Sequence, residues 1–468
     1  MRGRSAMHDH DGWWDRRRLM AGTVAGTVAA TTLALAGAFF DPQVSHGNVS
    51  TLRRRVVGVV EFTNASALAA VGYPVRVRGS PVRRWRALRW RVDDLLRRSH
   101  RPKLFWASRH PVFHYHDSAQ FMTDDLTARG AWQPTHREVN VTLAHFVDQC
   151  NAESKEEYLY YTGQAEDASG NVVDDVWPVE ELLPWDTGPG YRVNTWLGCR
   201  GVGMNAHYDL AHNLFVQIIG RKIFYLLPPA ASAALYIAAR GHPRFRSSMI
   251  ADLTHVSLLK FPLFRTLEEI FVAELGPGDV LYVPPGWIHH VVTSDDERGP
   301  SVSVNVFSDS VEREAFDALA DLPVPFESEW PRETMLAAVP ALMRLISNLV
   351  SETLAREHRV DAVTNAAADG GLDALVQQWA ASRWAHIARG SEDVMIDCRL
   401  DQPPFATAHF RRRASDVADR FLQMASDGSR RLLMQNYWDT LVAFTMGWDP
   451  FLTARFAVNI ARSCFAGE

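Results

Sequence analysis

Lysine is scarce in this chain of 468 residues: Lys103, Lys155, Lys222 and Lys260 alone interrupt a basic set otherwise carried by arginine. Cysteine is equally sparse. Cys150, Cys199, Cys398 and Cys464 stand apart with no CxxC pair, so neither a structural zinc site nor a disulfide framework is indicated, and the expectation is a reducing compartment. The formal net charge of −5 is too small to imply global binding of a polyanion. No internal repeat or low-complexity tract is evident. With 47% hydrophobic and 22% charged residues, the balance is that of a folded globular chain rather than a disordered one.

Charge is nevertheless unevenly spread. Twelve arginines fall between Arg53 and Arg98, and two readings stand: a solvated helical face, or a patch for nucleic acid or an anionic membrane. Ahead of them, Leu19 to Phe40 runs 22 residues without a charge behind Arg16, Arg17 and Arg18. That length can cross a bilayer, and the flanking arginines favour the cytoplasmic side for the N-terminus. Yet the run is rich in Ala, Gly and Thr, and Ala36-Gly37-Ala38 resembles a small-residue cleavage site. A signal anchor, a cleaved signal or transit segment and a loosely ordered extension are all open readings. The first gives membrane attachment through 19–40; otherwise the expected location is intracellular, in cytoplasm or nucleus.

Residues 1–50 thus read as an extension outside the fold. From 51 to 308 the pattern is mainly β, with α+β elements first: a short helix over Asn64–Val71, a strand over Tyr73–Gly79, a helix over Arg83–Ser99 and a helix over Thr142–Cys150 capped by Thr142. Between Tyr158 and Phe307 short apolar runs alternate with Gly/Pro turns, which predicts a β-sandwich or barrel. Beyond about Asp309 helical spacing takes over through 309–468, including a helix predicted to begin at Pro340, where the missing N–H costs nothing. That tail is either a buttress for the β domain or a module for homodimerisation or substrate docking.

The chemistry concentrates in two places. His207-Tyr208-Asp209 lies in a strand-like run, where alternation points His207 and Asp209 to one side. Some eighty residues on, Gly278-Asp279-Val280-Leu281-Tyr282-Val283-Pro284-Pro285-Gly286-Trp287-Ile288-His289-His290 delivers a histidine into a strand behind a rigid proline turn. Two imidazoles and a carboxylate with open positions form the facial triad that suits ferrous iron. Neighbours on a strand face opposite ways, so only one of His289 and His290 can join; we favour His289, with His290 and His212 as bystanders. Lys222 falls fifteen residues after His207 on the next strand but one. A lysine inside a barrel needs an anion, and a dicarboxylic co-substrate would supply one.

With these segments in hand, 191–307 resembles the JmjC/cupin-8 family of 2-oxoglutarate oxygenases. The likeness is strongest to the small hydroxylase branch that includes the asparaginyl hydroxylase of hypoxia-inducible factor. It rests on Met204 to Asp209, Asn213 to Lys222 and Gly278 to His290. It implies a double-stranded β-helix (jelly-roll, cupin) in which His207, Asp209 and His289 ligate Fe(II). It further implies that Lys222 holds the distal carboxylate of 2-oxoglutarate, that Asn213 and Asn305 line the same pocket, and that O2 is the oxidant. One position departs from the pattern: Met204 stands where that branch has a threonine contacting the co-substrate, so Thr195 or a tyrosine near Tyr158–Tyr161, foremost Tyr160, is expected to take over. The implied reaction is hydroxylation of a protein side chain, with an RNA hydroxylase or a histone N-methyl-lysine demethylase as alternatives on the same scaffold.

Overall fold

Eight consecutive strands carry the expected β domain in the computed structural model. They are β1 (Tyr191–Cys199), β2 (Gly203–Tyr208), β3 (His212–Ile219), β4 (Lys222–Leu227), β5 (Glu269–Leu275), β6 (Val280–Val283), β7 (Ile288–Thr293) and β8 (Pro300–Ser308). One sheet contains the run β6-β3-β8-β1 and the other β5-β4-β7-β2. The chain therefore crosses between the sheets at almost every turn, and the result is the double-stranded β-helix of the cupin fold. Residues 46–466 are described, apart from 99–100, 116–133, 165–171, 177–178, 183–189, 241, 295–298, 322–329, 357–370, 386, 389–395, 397, 399–403, 425 and 448. Ser45–Glu468 forms one compact unit, and the apolar run 19–40 lies outside the described residues.

The N-terminal elements extend both sheets. Val59–Glu61 and Val75–Arg78 add to the β6 edge of the larger sheet, and Tyr158–Gln164, Lys103–Ser108 and Arg137–Val141 continue it beyond β1. Gly79 closes its strand at φ +71°, a conformation in which a Cβ would be strained. Thr142 caps the helix Leu143–Asn151 (α1) by accepting the His145 N–H. The predicted helix over Arg83–Ser99 is broken instead into two 3₁₀ turns, Pro81–Arg84 and Arg86–Arg89, followed by Val92–Arg98. The break places both Trp85 and Trp90 in the core, which one continuous helix would not do at a spacing of five. Much of the basic surface here is neutralised: Arg84 pairs with Glu181, Arg86 with Asp175 at 3.1 Å, Arg97 with Asp94, and Arg76 with Asp279 at 2.7 Å. The solvated-face reading is the one these contacts support.

The cysteine expectation fails. Cys150 at the end of α1 is bonded to Cys199 at the end of β1, and Cys398 to Cys464 at the end of the last helix. Separations of 49 and 66 residues leave no local motif to read; only the fold brings the partners together.

The C-terminal region contains α2 (Val311–Asp321), α3 (Arg332–Arg356), α4 (Gly371–Arg383), α5 (Ala408–Leu422), α6 (Asp427–Thr445) and α7 (Pro450–Cys464). Pro340 lies inside α3 rather than at its start, in a wholly buried stretch from Leu336 to Met343, where packing compensates for the lost backbone bond. Leu342, Trp379 and Trp438 share one buried cluster with Ala206, Tyr208, Ile270 and Ile288. The helices thus cover the outer face of the smaller sheet. Their apolar stripes are spent within this chain, as a buttress.

Candidate active site

Strand register builds the centre of the site. His207 on β2 is directly opposite His289 on β7, and the rings lie 4.3 Å apart between centroids. A bulge between Met204 and His207 shifts the register, so that both side chains reach the interior although their spacing is odd. Asp209 follows just after β2. Its carbonyl accepts the Gly286 N–H at 2.7 Å, which ties it to the Pro284–Trp287 turn, and Gly286 has φ +78°. One ligand atom from each of His207, Asp209 and His289 falls within 4.8 Å of the other two. This is the one such group of metal-ligating side chains among the described residues.

Both imidazoles are fixed by the same device. His207 Nδ1 lies 2.7 Å from the Asn205 carbonyl and His289 Nδ1 lies 3.0 Å from the Trp287 carbonyl. Each Nδ1 therefore carries the proton, and each Nε2 offers its lone pair inward. His289 Nε2 is 3.5 Å from the Asp209 carboxylate. Burial, reinforced by His289, pushes the His207 imidazole down to about 3; it is neutral at any ordinary pH, as a ligand must be. The bystanders are elsewhere. His290 is fully buried behind β7 with Tyr225 stacked on it, and His212 Nδ1 meets the Tyr282 hydroxyl at 2.8 Å outside this cavity.

Behind the triad is a cavity with about 380 Å³ of atom-free space, lined by Tyr160, Trp196, Met204, Asn213, Lys222 and Asn305 among others. Trp196 Nε1 donates to Asn305 Oδ1 at 2.7 Å, and Asn305 Nδ2 donates to Asn213 Oδ1 at 3.1 Å, so both amides are held in one orientation. Lys222 is 1% exposed, and its Nζ has no hydrogen-bond partner. Only the faces of Tyr160 and Phe215 approach it, at 5.6 and 5.4 Å to the ring centroids. Burial alone pushes this ammonium down to about 7. An orphaned buried cation at the closed end of a cavity has the chemistry of an anion site.

Two expectations need adjustment. Thr195 does not line the cavity. It is opposite Val304 in register, on the other face of β1 from Trp196, because alternation permits only one of the two neighbours to point inward. Tyr160 does line it. A residue that the motifs did not flag is Thr293, directly opposite Lys222 in register and buried with an unpartnered hydroxyl. The signal was available: counting by two from His289 along β7 gives Val291, which lines the cavity, and then Thr293. Gly198 leaves space here, since a Cβ would meet Tyr160 at 3.1 Å and the Thr293 hydroxyl at 3.4 Å. Tyr115 was also missed; its ring stacks on His207 at 5.1 Å.

Comparison with known proteins gives the same picture. The family model described as a cupin-like domain matches residues 66–313, just over half of the chain. JmjC domain-containing protein D of Dictyostelium discoideum is 38% identical over 100 residues, 21% of this chain and 22% of that protein. The human tRNA wybutosine-synthesizing protein 5 is 31% identical over 117 residues, 25% and 34% of the two chains. The lysine-specific demethylase JMJ32 of Arabidopsis thaliana is 30% identical over 142 residues, 25% and 41%. The match thus spans between about a fifth and two fifths of these relatives' lengths. With an eight-stranded double-stranded β-helix, a His-Asp-His group on two of its facing strands and a domain match that spans both, the chain belongs to the cupin-like JmjC domain family.

Proposed function

We propose that this protein is an Fe(II)- and 2-oxoglutarate-dependent oxygenase that hydroxylates a side chain of a protein substrate. The observation that carries the reading is the pairing of a complete His-Asp-His group with a lone buried lysine at the far end of the same cavity. The donor set fits: two neutral imidazoles and one carboxylate suit ferrous iron and leave coordination positions open. The closed end fits a diacid, because a carboxylate there would relieve the uncompensated Lys222 charge. When bound, iron, 2-oxoglutarate and O2 together supply C–H oxidation, with succinate and CO2 as co-products.

The protein's own contribution is positional. His207, Asp209 and His289 would hold the metal, their geometry set by the Asn205 and Trp287 carbonyls. Lys222 would take the distal carboxylate of the diacid, with the Tyr160 and Thr293 hydroxyls as further donors in place of the threonine that Met204 replaces. Asn213 and Asn305 would border the body of the co-substrate, and Trp196, Phe215 and Phe224 would keep water from it. A protein substrate is favoured over RNA by the ion-paired state of much of the early basic region. The likeness to the tRNA wybutosine-synthesizing protein keeps RNA as the second reading. The test is succinate release from 2-oxoglutarate with added Fe(II), followed by mass spectrometry of a peptide and tRNA panel for gain of one oxygen atom. The His207→Ala protein serves as control. Absence of succinate under all conditions would defeat the oxygenase reading, and oxygen gain confined to tRNA would defeat the protein substrate.

A further inference from the structure

Three arginines surround the mouth of the cavity, where Tyr115 meets Asp209. Arg192 is on β1 opposite Phe307, a cavity-lining residue, and so faces the same side as the site. Arg313 is in the first turn of α2, directly after β8. Arg246 belongs to the segment that covers the free edge of β2: its carbonyl accepts the Tyr208 N–H at 3.2 Å, and Ser247 bridges to His207. The charges of all three act on the Tyr115 hydroxyl, whose pKa burial and Asp209 raise to about 12. They therefore converge on one spot beside the candidate metal ligands.

Two features distinguish this trio from surface arginines. Arg246 adopts φ +67°, one of two non-glycine residues with positive φ among those described. Such backbone strain costs about 1–3 kcal/mol and persists where the surroundings enforce it, often at ligand sites. The Nε of Arg246 is buried without a hydrogen-bond partner, and Arg192 has no ion pair or hydrogen bond from its side chain among the described residues. The counter-charges are few: Asp309 acts on Arg192, and Asp317 is 3.5 Å from Arg313. Asp209 would be neutralised by a divalent ion on the triad. What remains is guanidinium capacity in excess of local carboxylate, half-buried where Coulomb attraction is stronger than at a surface.

We propose that Arg192, Arg246 and Arg313 form a recognition site for an acidic side chain of the substrate, placed next to the carbon presented to the triad. Three convergent guanidiniums at one point suit a single carboxylate, for which bidentate Arg geometry is well matched. A polynucleotide would need many phosphate contacts spread along a basic track, and the nearby basic region is largely consumed in its own ion pairs. The inference deepens the protein-hydroxylase reading and rests on it for the identity of the neighbouring reaction, not for the binding itself.

The experiment measures binding without turnover. The full chain, loaded with Mn(II) and 2-oxoglutarate under nitrogen, is titrated into a fluorescein-labelled peptide with central glutamates, its glutamine counterpart and a labelled poly-dT strand, with anisotropy as readout. The glutamate peptide is expected to bind at least about ten-fold more tightly than the glutamine one, as loss of a charge-assisted pair commonly produces. Arg192→Gln and Arg246→Lys should each remove most of that preference, and the exposed Arg89→Gln should not. Arg192→Gln leaves the strained segment untouched, so a folding defect at position 246 does not blur the result. Equal binding of both peptides, an unchanged preference in Arg192→Gln, or poly-dT as the preferred ligand would overturn the proposal. Succinate release is measured separately with Fe(II): its absence with a retained glutamate preference would remove the oxygenase and leave the acidic-peptide site standing.

Discussion

Replacing Lys222 with methionine should stabilise the ligand-free protein while abolishing its response to 2-oxoglutarate. Lys222 Nζ is buried without a partner, and desolvation lowers its pKa from 10.5 to about 7. The unfolded chain therefore binds more protons than the folded one between pH 7 and 10.5. Stability rises with pH across that window, and the full penalty is present below it. At 1.36 kcal/mol per unit, the cost at pH 7 is about 4 kcal/mol. Methionine is unbranched, of similar length and adaptable in packing, so Lys222→Met should recover about 2–4 kcal/mol in denaturant unfolding at pH 7. Wild-type stability should climb from pH 7 towards pH 10 by an amount that the variant lacks. Added 2-oxoglutarate should raise the midpoint of the wild type only, since a ligand that binds the folded state stabilises by mass action. A loss of stability in Lys222→Met, with matching pH profiles and an undiminished ligand shift, would show that the ammonium is compensated and that the anion-site argument is wrong.

Other outcomes follow from the same contacts. His207→Ala should abolish succinate formation and weaken metal-induced thermal stabilisation by at least about 100-fold in apparent affinity, as even loss of a supporting partner costs 10–100-fold; calorimetric titration with Mn(II) checks this. Purified under non-reducing conditions, the protein should be lighter by the four hydrogens that two disulfides remove, and reduction should cost about 2–4 kcal/mol for each bridge. A free-thiol titre of four would contradict the pairing. Asn436→Ala should cost about 1–3 kcal/mol by leaving buried polar groups unsatisfied, and it should also lower metal affinity, because Asn436 Nδ2 donates to the Tyr208 hydroxyl at 2.8 Å between two candidate ligands.

What the sequence made legible was whatever a short period encodes. The β-strand alternation places His207 and Asp209 together, and the stiff Pro284-Pro285-Gly286 turn marks where His289 enters. Fifteen residues of spacing put Lys222 on β4, with its side chain turned into the barrel. The strand Glu269–Leu275 was not foreseen: its charged ends, Glu269 and Glu274, dilute the apolar signal, and its pairing with β4 supplies the burial that a linear reading cannot see. The stretch from Ala230 to Phe261 reads as an anonymous loop, yet Leu235, Tyr236, Ile237, Ile250 and Leu253 are all in the core. Its order is tertiary: Asn205 Nδ2 donates to the Ile250 carbonyl at 2.7 Å, and Ser248 N to the Ala206 carbonyl at 2.7 Å. Thr195 and Thr293 show both sides of the limit. Each is a buried threonine on a core strand, and only the register, counted from a known inward residue, tells which one faces the cavity.

The C-terminal helices illustrate why a buttress can matter to chemistry without touching it. Tyr208 alternates outward between His207 and Asp209, and its hydroxyl is gripped by Asn436 from α6. Asn436 in turn accepts from Arg383 at 2.8 Å, and Arg383 pairs with Asp439, a fully buried carboxylate that also receives the Trp379 and Trp384 indole N–H groups at 2.8 and 3.1 Å. Burial raises the Asp439 pKa while Arg383 opposes the rise, so the pair holds only as a unit. Breaking such a pair from one side leaves an uncompensated charge at a cost of about 3–5 kcal/mol. Every bond in this chain runs from the helical layer to the one strand that carries two of the three candidate ligands. Rotation of that strand by a fraction of its twist would separate the Nε2 of His207 from that of His289, so the network fixes the ligand spacing from behind. On this argument the helices belong to the site's architecture, and removal of α6 would loosen the triad even with every cavity residue intact.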